Sequence, residues 1–201
     1  MIRTFIAVDV PFLVKRELEK FAGELKMSGA LVTWVKPERM HLTLKFLGDV
    51  SPEQIEPIGQ ALQQAATGIH PVHLQPAGCG AFPSLKQMRV VWVGLRGDVD
   101  LLQTLHKRVE TALTTLGFAA EERPFKAHLT LGRVKGKKHL NLLQEALLAH
   151  RQFTAGAFAV TELTLYRSDL RPTGPIYQPL LRVPLGTGTD GFGDGLVTEP
   201  P

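Results

Sequence analysis

Apolar residues recur along this chain in two periods, and the periods predict its elements. Residues 2–8 read as a strand. Beyond Pro11, the apolar positions Val14, Leu18, Phe21 and Leu25 fall at spacings of 4, 3 and 4, one face of a helix that Pro11 opens and Gly29 ends. Leu31 to Val35 is rich in β-formers, and Met40 to Gly48 reads as a further strand. Ser51-Pro52-Glu53-Gln54 is a capping box with proline at the first helical position, so a helix is expected to about Thr67. A strand-like stretch follows and Pro83 interrupts it. Arg89 to Leu95 is a strongly apolar strand. Asp98 can cap a helix with Leu102, Leu105, Val109 and Leu113 on one face, stopped by Gly117. Ala127–Val134 reads as a strand, 140–150 as a short helix, and 158–166 and 176–184 as two strands. Strands and helices alternate without a regular βαβ beat, which predicts an α+β fold.

Within this pattern His41-Leu42-Thr43-Leu44 returns as His128-Leu129-Thr130-Leu131, 87 residues later. From the composition, one such copy is expected by chance about 0.01 times, so two copies indicate duplication. Each sits in a predicted strand preceded by a strand and a helix. The chain is therefore expected to hold two similar, mostly antiparallel sheet-plus-helix lobes around a central cleft. Residues 1–185 would form this bilobal domain, and 186–201, with the composition of a disordered tail, would lie outside it.

Strand alternation gives the motif its chemistry. His and Thr at i and i+2 point one way, and both leucines point the other. Leu42, Leu44, Leu129 and Leu131 can anchor the strands while an imidazole and a hydroxyl face the cleft, twice. Phosphodiester cleavage needs a base for the attacking oxygen and an acid for the departing one, and histidine serves as either near neutral pH. Threonine hydroxyls can donate to the non-bridging oxygens, where charge gathers in the transition state. Divalent-metal phosphoesterase sites recruit carboxylates. The nearest carboxylate after the first motif is Asp49, eight residues past His41, so no metal and no cofactor are expected. His70, His73, His106, His139 and His150 lack a repeated context and read as structural or surface residues.

Composition narrows the setting. All 23 Lys and Arg lie at or before Arg182, with 16 of the 19 acidic residues, so residues 1–185 carry +7. A basic body suits an anionic partner such as nucleic acid, though it also suits a merely soluble surface. Cys79 is the single cysteine, which excludes an intramolecular disulfide and a Cys-based zinc site. No apolar run approaches a membrane span, and Asp9 and Pro11 break the apolar start, so a cytoplasmic protein is expected.

The chain resembles the two-histidine (2H) phosphoesterase superfamily, in the branch of RNA 2',3'-cyclic phosphodiesterases, also called 2'-5' RNA ligases. The resemblance rests on RTFIAVDVP, HLTLKFLG, GCGAFP with VVWVGL, RPFKAHLTLGRVK and LYRSDLRPTGPIYQPL, over about residues 2–185. It implies that His41 is the proton donor and His128 the proton acceptor; by strand parity the hydroxyls of Thr43 and Thr130 would stand beside them. It implies hydrolysis of RNA 2',3'-cyclic phosphate ends, or of nucleoside 2',3'-cyclic phosphates, to 2'-phosphomonoesters. Two alternatives stay open: ATP-independent 2'-5' ligation in the same site, and a non-catalytic RNA- or nucleotide-binding module. A monomer is expected. The family commonly has proline before the second motif, where this chain has Ala127.

Supporting residues carry paired readings. Lys45 shares parity with His41 and Thr43 and so would reach an RNA phosphate, or simply water. Arg133 is out of phase with His128, but a bulge at Gly132 would turn it inward, and the family pattern places a phosphate-binding arginine there. Phe5 reads as core rather than as a stacking platform, and Trp34 and Trp92 as core. Lys135, Lys137 and Lys138 form a basic cluster that would steer RNA or stand as a solvated loop.

Overall fold

The computed structural model describes residues 1–172 and 174–186. The tail expected from residue 186 lies, from 187 onward, outside the described residues. The described elements are β1 (Ile2–Asp9), α1 (Phe12–Lys26), β2 (Val32–Trp34), β3 (His41–Val50), α2 (Ile55–Ala66), β4 (Val72–Phe82), β5 (Val90–Gly97), α3 (Val99–Thr114), β6 (His128–Val134), α4 (Leu140–Ala149), β7 (Phe158–Val160), β8 (Glu162–Asp169) and β9 (Ile176–Pro184). The helices bury the stripes that the periodicity marks: Val14, Leu18, Phe21 and Leu25 on α1, and Leu102, Leu105, Val109 and Leu113 on α3. Ser51 and Gln54 close the capping box reciprocally, which satisfies backbone donors at the turn leading into α2. Asp98 stands at the start of α3, but its carboxylate does not cap the helix. It accepts the backbone N–H of His73 at 2.9 Å instead, tying α3 to β4.

The strands form two antiparallel sheets, ordered β3-β1-β8-β9 and β2-β6-β5-β4-β7. The fold is α+β with two lobes. The lobes are not the two halves of the sequence. The half that carries His41 places β1 and β3 in the first sheet but β2 and β4 in the second, and β8 and β9 return from the other half to complete the first. The segment that reads as one strand over 158–166 is cut at Thr161. Its first piece, β7, pairs with β4, and its second, β8, with β1. Exchanged strands interlock the lobes through backbone hydrogen bonds, so neither closes its sheet without the other.

One large apolar cluster fills the space between helices and sheets in both lobes, and includes Leu42, Leu44, Leu129 and Leu131. A separate small cluster of Phe5, Ala7 and Tyr166, with Tyr177 against it, lies on the opposite face of the first sheet. That helix-free face, with its counterpart on the second sheet, lines the cleft. The strands β3 and β6 touch where the two sheets approach each other.

Candidate active site

The two motifs adopt one backbone pattern. Along residues 41–46 and again along 128–133, side chains run half-buried, buried, half-buried, buried, buried, exposed. The cause is a pair of matching bulges. Opposite β1, the partner of Ala7 is Thr43 and that of Ile6 is Lys45, so Leu44 is the extra residue. Opposite β5, Trp92 pairs with Thr130 and Val91 with Gly132, so Leu131 is extra. Each bulge sits at the last residue of H-L-T-L and reverses the alternation after it. His41 and Thr43 share the cleft face of the first sheet, as His128 and Thr130 do on the second, and the four leucines face the core.

The reversal sorts the next residues. Arg133, out of phase by simple counting, is exposed on the cleft face. It lies near enough to Tyr177, across on the first sheet, to favour that phenol's ionised form, as Arg39 and Arg3 also do. Burial outweighs all three and holds the phenol above its ordinary range. Lys45 goes the other way. Its expected place on the cleft is overturned: it is 6% exposed, and its ammonium donates to both oxygens of Glu110 and to the Ala119 carbonyl, each at 2.8 Å. Gly132 occupies the matching position in the second copy. A Cβ there would come within 2.6 Å of Val32 and 3.1 Å of Trp34, so the strand β2 leaves room for glycine alone.

The bulge also brings out a residue that sequence alternation hid. Phe46 stands where Arg133 stands in the other copy, and it is 67% exposed on the cleft face, 5.9 Å from Phe5. Phe5 is buried and supports His41 from behind, with ring centroids 4.8 Å apart, and stacks on Tyr166. Tyr177 meets His41 edge-on at 5.1 Å. Trp92, expected in the core, is on the cleft face of the second sheet, beside Thr130. Phe82 lies against it and presents itself edge-on to His128 at 5.0 Å. Trp34 does pack against the core. The other histidines serve structure or surface: His106 stacks on Phe125 at 4.0 Å, and His150 lies 3.1 Å from Glu24. Lys135, Lys137 and Lys138 are exposed past the second motif.

Both imidazoles hydrogen-bond the backbone two residues upstream. The Nδ1 of His128 lies 2.6 Å from the carbonyl oxygen of Lys126, two residues earlier. A carbonyl only accepts, so Nδ1 carries the proton and Nε2 is free to accept one. His41 likewise hydrogen-bonds the backbone of Arg39, two residues before it. Its surroundings differ, however. Burial lowers the pKa of His41 to about 4, against the opposing pull of the Arg39 hydrogen bond and of Asp9. Asp9 is the β1 partner of His41, and it accepts the Tyr166 hydroxyl at 2.6 Å. Among the described residues, no three His, Cys, Asp or Glu side chains gather as a metal site.

The family model described as LigT like phosphoesterase matches the chain twice, over residues 8–92 and 93–177. The RNA 2',3'-cyclic phosphodiesterase of Methanothermobacter thermautotrophicus is 34% identical over 176 residues, covering 88% of this chain and 95% of the archaeal protein. That of Thermotoga maritima is 36% identical over 178 residues, covering 89% of this chain and 92% of its own. Among solved structures, Escherichia coli LigT complexed with 3'-AMP superposes with a TM-score of 0.73 at 26% identity, covering 92% of this chain and 98% of that one. A Thermus thermophilus protein superposes at 0.74 with 26% identity, covering 91% and 97%. With both repeats matched and each containing one of the paired histidine strands, the chain belongs to the LigT like phosphoesterase family.

Proposed function

We propose that this protein hydrolyses RNA 2',3'-cyclic phosphate ends to 2'-phosphomonoesters, by acid–base catalysis between His41 and His128. The observation that carries the reading is the repeated geometry. Two histidines from two sheets share a backbone pattern, a threonine on the same face and a hydrogen bond to the backbone two residues earlier. Relatives named RNA 2',3'-cyclic phosphodiesterase over most of the chain support the substrate class.

In this mechanism Nε2 of His128 takes a proton from water as its oxygen attacks phosphorus. The P–O3' bond breaks in line with the attack, and O3' takes the proton held by His41. Thr43 and Thr130 donate to the non-bridging oxygens, and the exposed Arg133 guanidinium balances their charge. Phe46, open to solvent next to Phe5, offers its ring face to the base of the terminal nucleoside. Incubation with adenosine 2',3'-cyclic phosphate in excess EDTA is expected to yield adenosine 2'-phosphate. Product that appears only after a divalent ion is restored would rule out the two-histidine mechanism.

The burial of His41 sets the pH dependence. With its pKa near 4, His41 is neutral at pH 7 in the free protein, so it must take up the proton it donates as the anionic substrate binds. The productive form is then one arrangement of a singly protonated pair, and its fraction is level between the pair's two pKa values. Below about pH 4 His41 takes up a proton in the free protein and the singly protonated pair is lost. The acid limb of kcat/KM, which reports free enzyme, is therefore expected to bend near pH 4. The acid limb of kcat should lie higher, because bound phosphate favours protonation. An acid limb of kcat/KM near 6.5, the ordinary histidine value, would contradict the desolvated His41.

A further inference from the structure

The mechanism above leaves one surface of the cleft unused. Beside His128, the rings of Phe82 and Trp92 lie 5.1 Å apart at 31° on the cleft face of the second sheet. Neither belongs to the apolar cluster that fills the core. Two glycines make the floor flat: a Cβ on Gly80 would stand 2.6 Å from the Trp92 ring, and one on Gly94 would stand 2.9 Å from the Ala77 carbonyl and 3.5 Å from the same ring. The indole Nε1 is buried without a hydrogen-bond partner. The ammonium of Lys126, whose carbonyl orients His128, lies 5.8 Å from the centre of the Phe82 ring. An aromatic floor with a cation at its rim has the chemistry that single-stranded nucleotides meet on their binding proteins.

Its place in the reaction identifies the occupant. His41 protonates O3', so the nucleoside bearing the cyclic phosphate lies on the side of His41 and Phe46. His128 faces the nucleophile. We propose that the Phe82–Trp92 floor, with Lys126, is a second nucleoside subsite, which holds the nucleoside whose O5' takes the place of water at His128. In the joining direction, His128 removes the 5'-hydroxyl proton, O5' bonds to phosphorus, the P–O3' bond breaks and O3' takes the proton of His41. The product is a 2'-5' phosphodiester. In reverse, O3' attacks phosphorus as His41 takes its proton, the P–O5' bond breaks and His128 protonates O5'. This inference rests on the two-histidine reading of the site.

The test compares wild type, Trp92→Ala and Trp92→Phe on three substrates: adenosine 2',3'-cyclic phosphate, 2'-5'-linked adenylyl-adenosine, and a 3'-5' diadenylate ending in a 2',3'-cyclic phosphate. Loss of one stacking face is expected to raise KM for the 2'-5' dinucleotide roughly tenfold more than KM for the cyclic mononucleotide, with most of that restored by phenylalanine. In wild type, the 2'-5' dinucleotide should also quench intrinsic fluorescence, and that quenching should vanish in Trp92→Phe even if Trp92→Ala does not fold. Equal changes in KM on all three substrates would make Trp92 a packing residue and overturn the proposal. A selective penalty on the 3'-5' diadenylate would assign the floor to the upstream nucleoside instead and overturn it as well. Wild type that hydrolyses the cyclic mononucleotide yet leaves the 2'-5' dinucleotide intact would also overturn it. Failure on the mononucleotide itself would sink the underlying phosphodiesterase reading, and the quenching arm would still decide whether the floor binds a nucleoside.

Discussion

Alanine at His41 or at His128 is expected to lower turnover of a 2',3'-cyclic phosphate by about 10²–10⁴-fold, the usual scale for a lost general acid or base. The double variant should lose far less than the product of the two factors, because groups that move one proton pair act as a unit. Both single variants should still fold, since each imidazole shares its strand face with the motif threonine, opposite the leucines that enter the main core. Leu42 and Leu129 supply the contrast. Each is 1% exposed on the opposite side of its strand. Leu42→Ala or Leu129→Ala should cost about 2–5 kcal/mol of stability through lost burial and a cavity. Thermal melts beside steady-state assays separate the two classes. Histidine variants that unfold, beside leucine variants that stay stable and inactive, would reverse the assignment of faces.

The second large effect is expected away from the cleft. Lys45 and Glu110 form an ion pair between β3 and α3, with side-chain exposures of 5% and 15%. The lysine's three donors meet two carboxylate oxygens and the Ala119 carbonyl, and Glu110 also accepts the backbone N–H of Glu121 at 3.1 Å. This network pins the start of the segment that runs on to His128, and ties it to the strand of His41. Lys45→Met leaves a buried carboxylate without its cation, and Glu110→Gln leaves a buried ammonium without its anion. Each should cost about 3–5 kcal/mol, the scale for breaking a buried pair from one side. Lys45→Met with Glu110→Leu should be less destabilised than the sum of the single changes, because no charge is then stranded. Denaturant midpoints for the two singles and the double form the measurement. Singles that lose less than about 1 kcal/mol would show that water reaches the pair, as at an exposed salt bridge.

Lys45 also marks where reading along the chain stops being sufficient. Periodicity alone located the helices, because the buried stripes of α1 and α3 are local facts of spacing. The repeated H-L-T-L was equally local. Parity within four residues put His41 with Thr43 and His128 with Thr130 on one face, and their leucines on the other. What lies one residue further depended on pairing with another strand. The bulges at Leu44 and Leu131 exist only in the registers against β1 and β5, and each reverses every side chain that follows. They sent Lys45 inward to Glu110 and brought Phe46 and Arg133 out to the cleft. The same dependence put Trp92 beside Thr130 rather than in the core, cut the strand at Thr161, and turned the Asp98 carboxylate from its helix to His73. Exchange of strands between the sheets was hidden for the same reason, since a strand's own residues do not specify which neighbour completes its hydrogen bonds. The sequence by itself determined the helices, the duplicated histidine–threonine pairs and the family. Tertiary structure alone decided which residues stand around those pairs, because a strand's face beyond a bulge is set by the strand it pairs with.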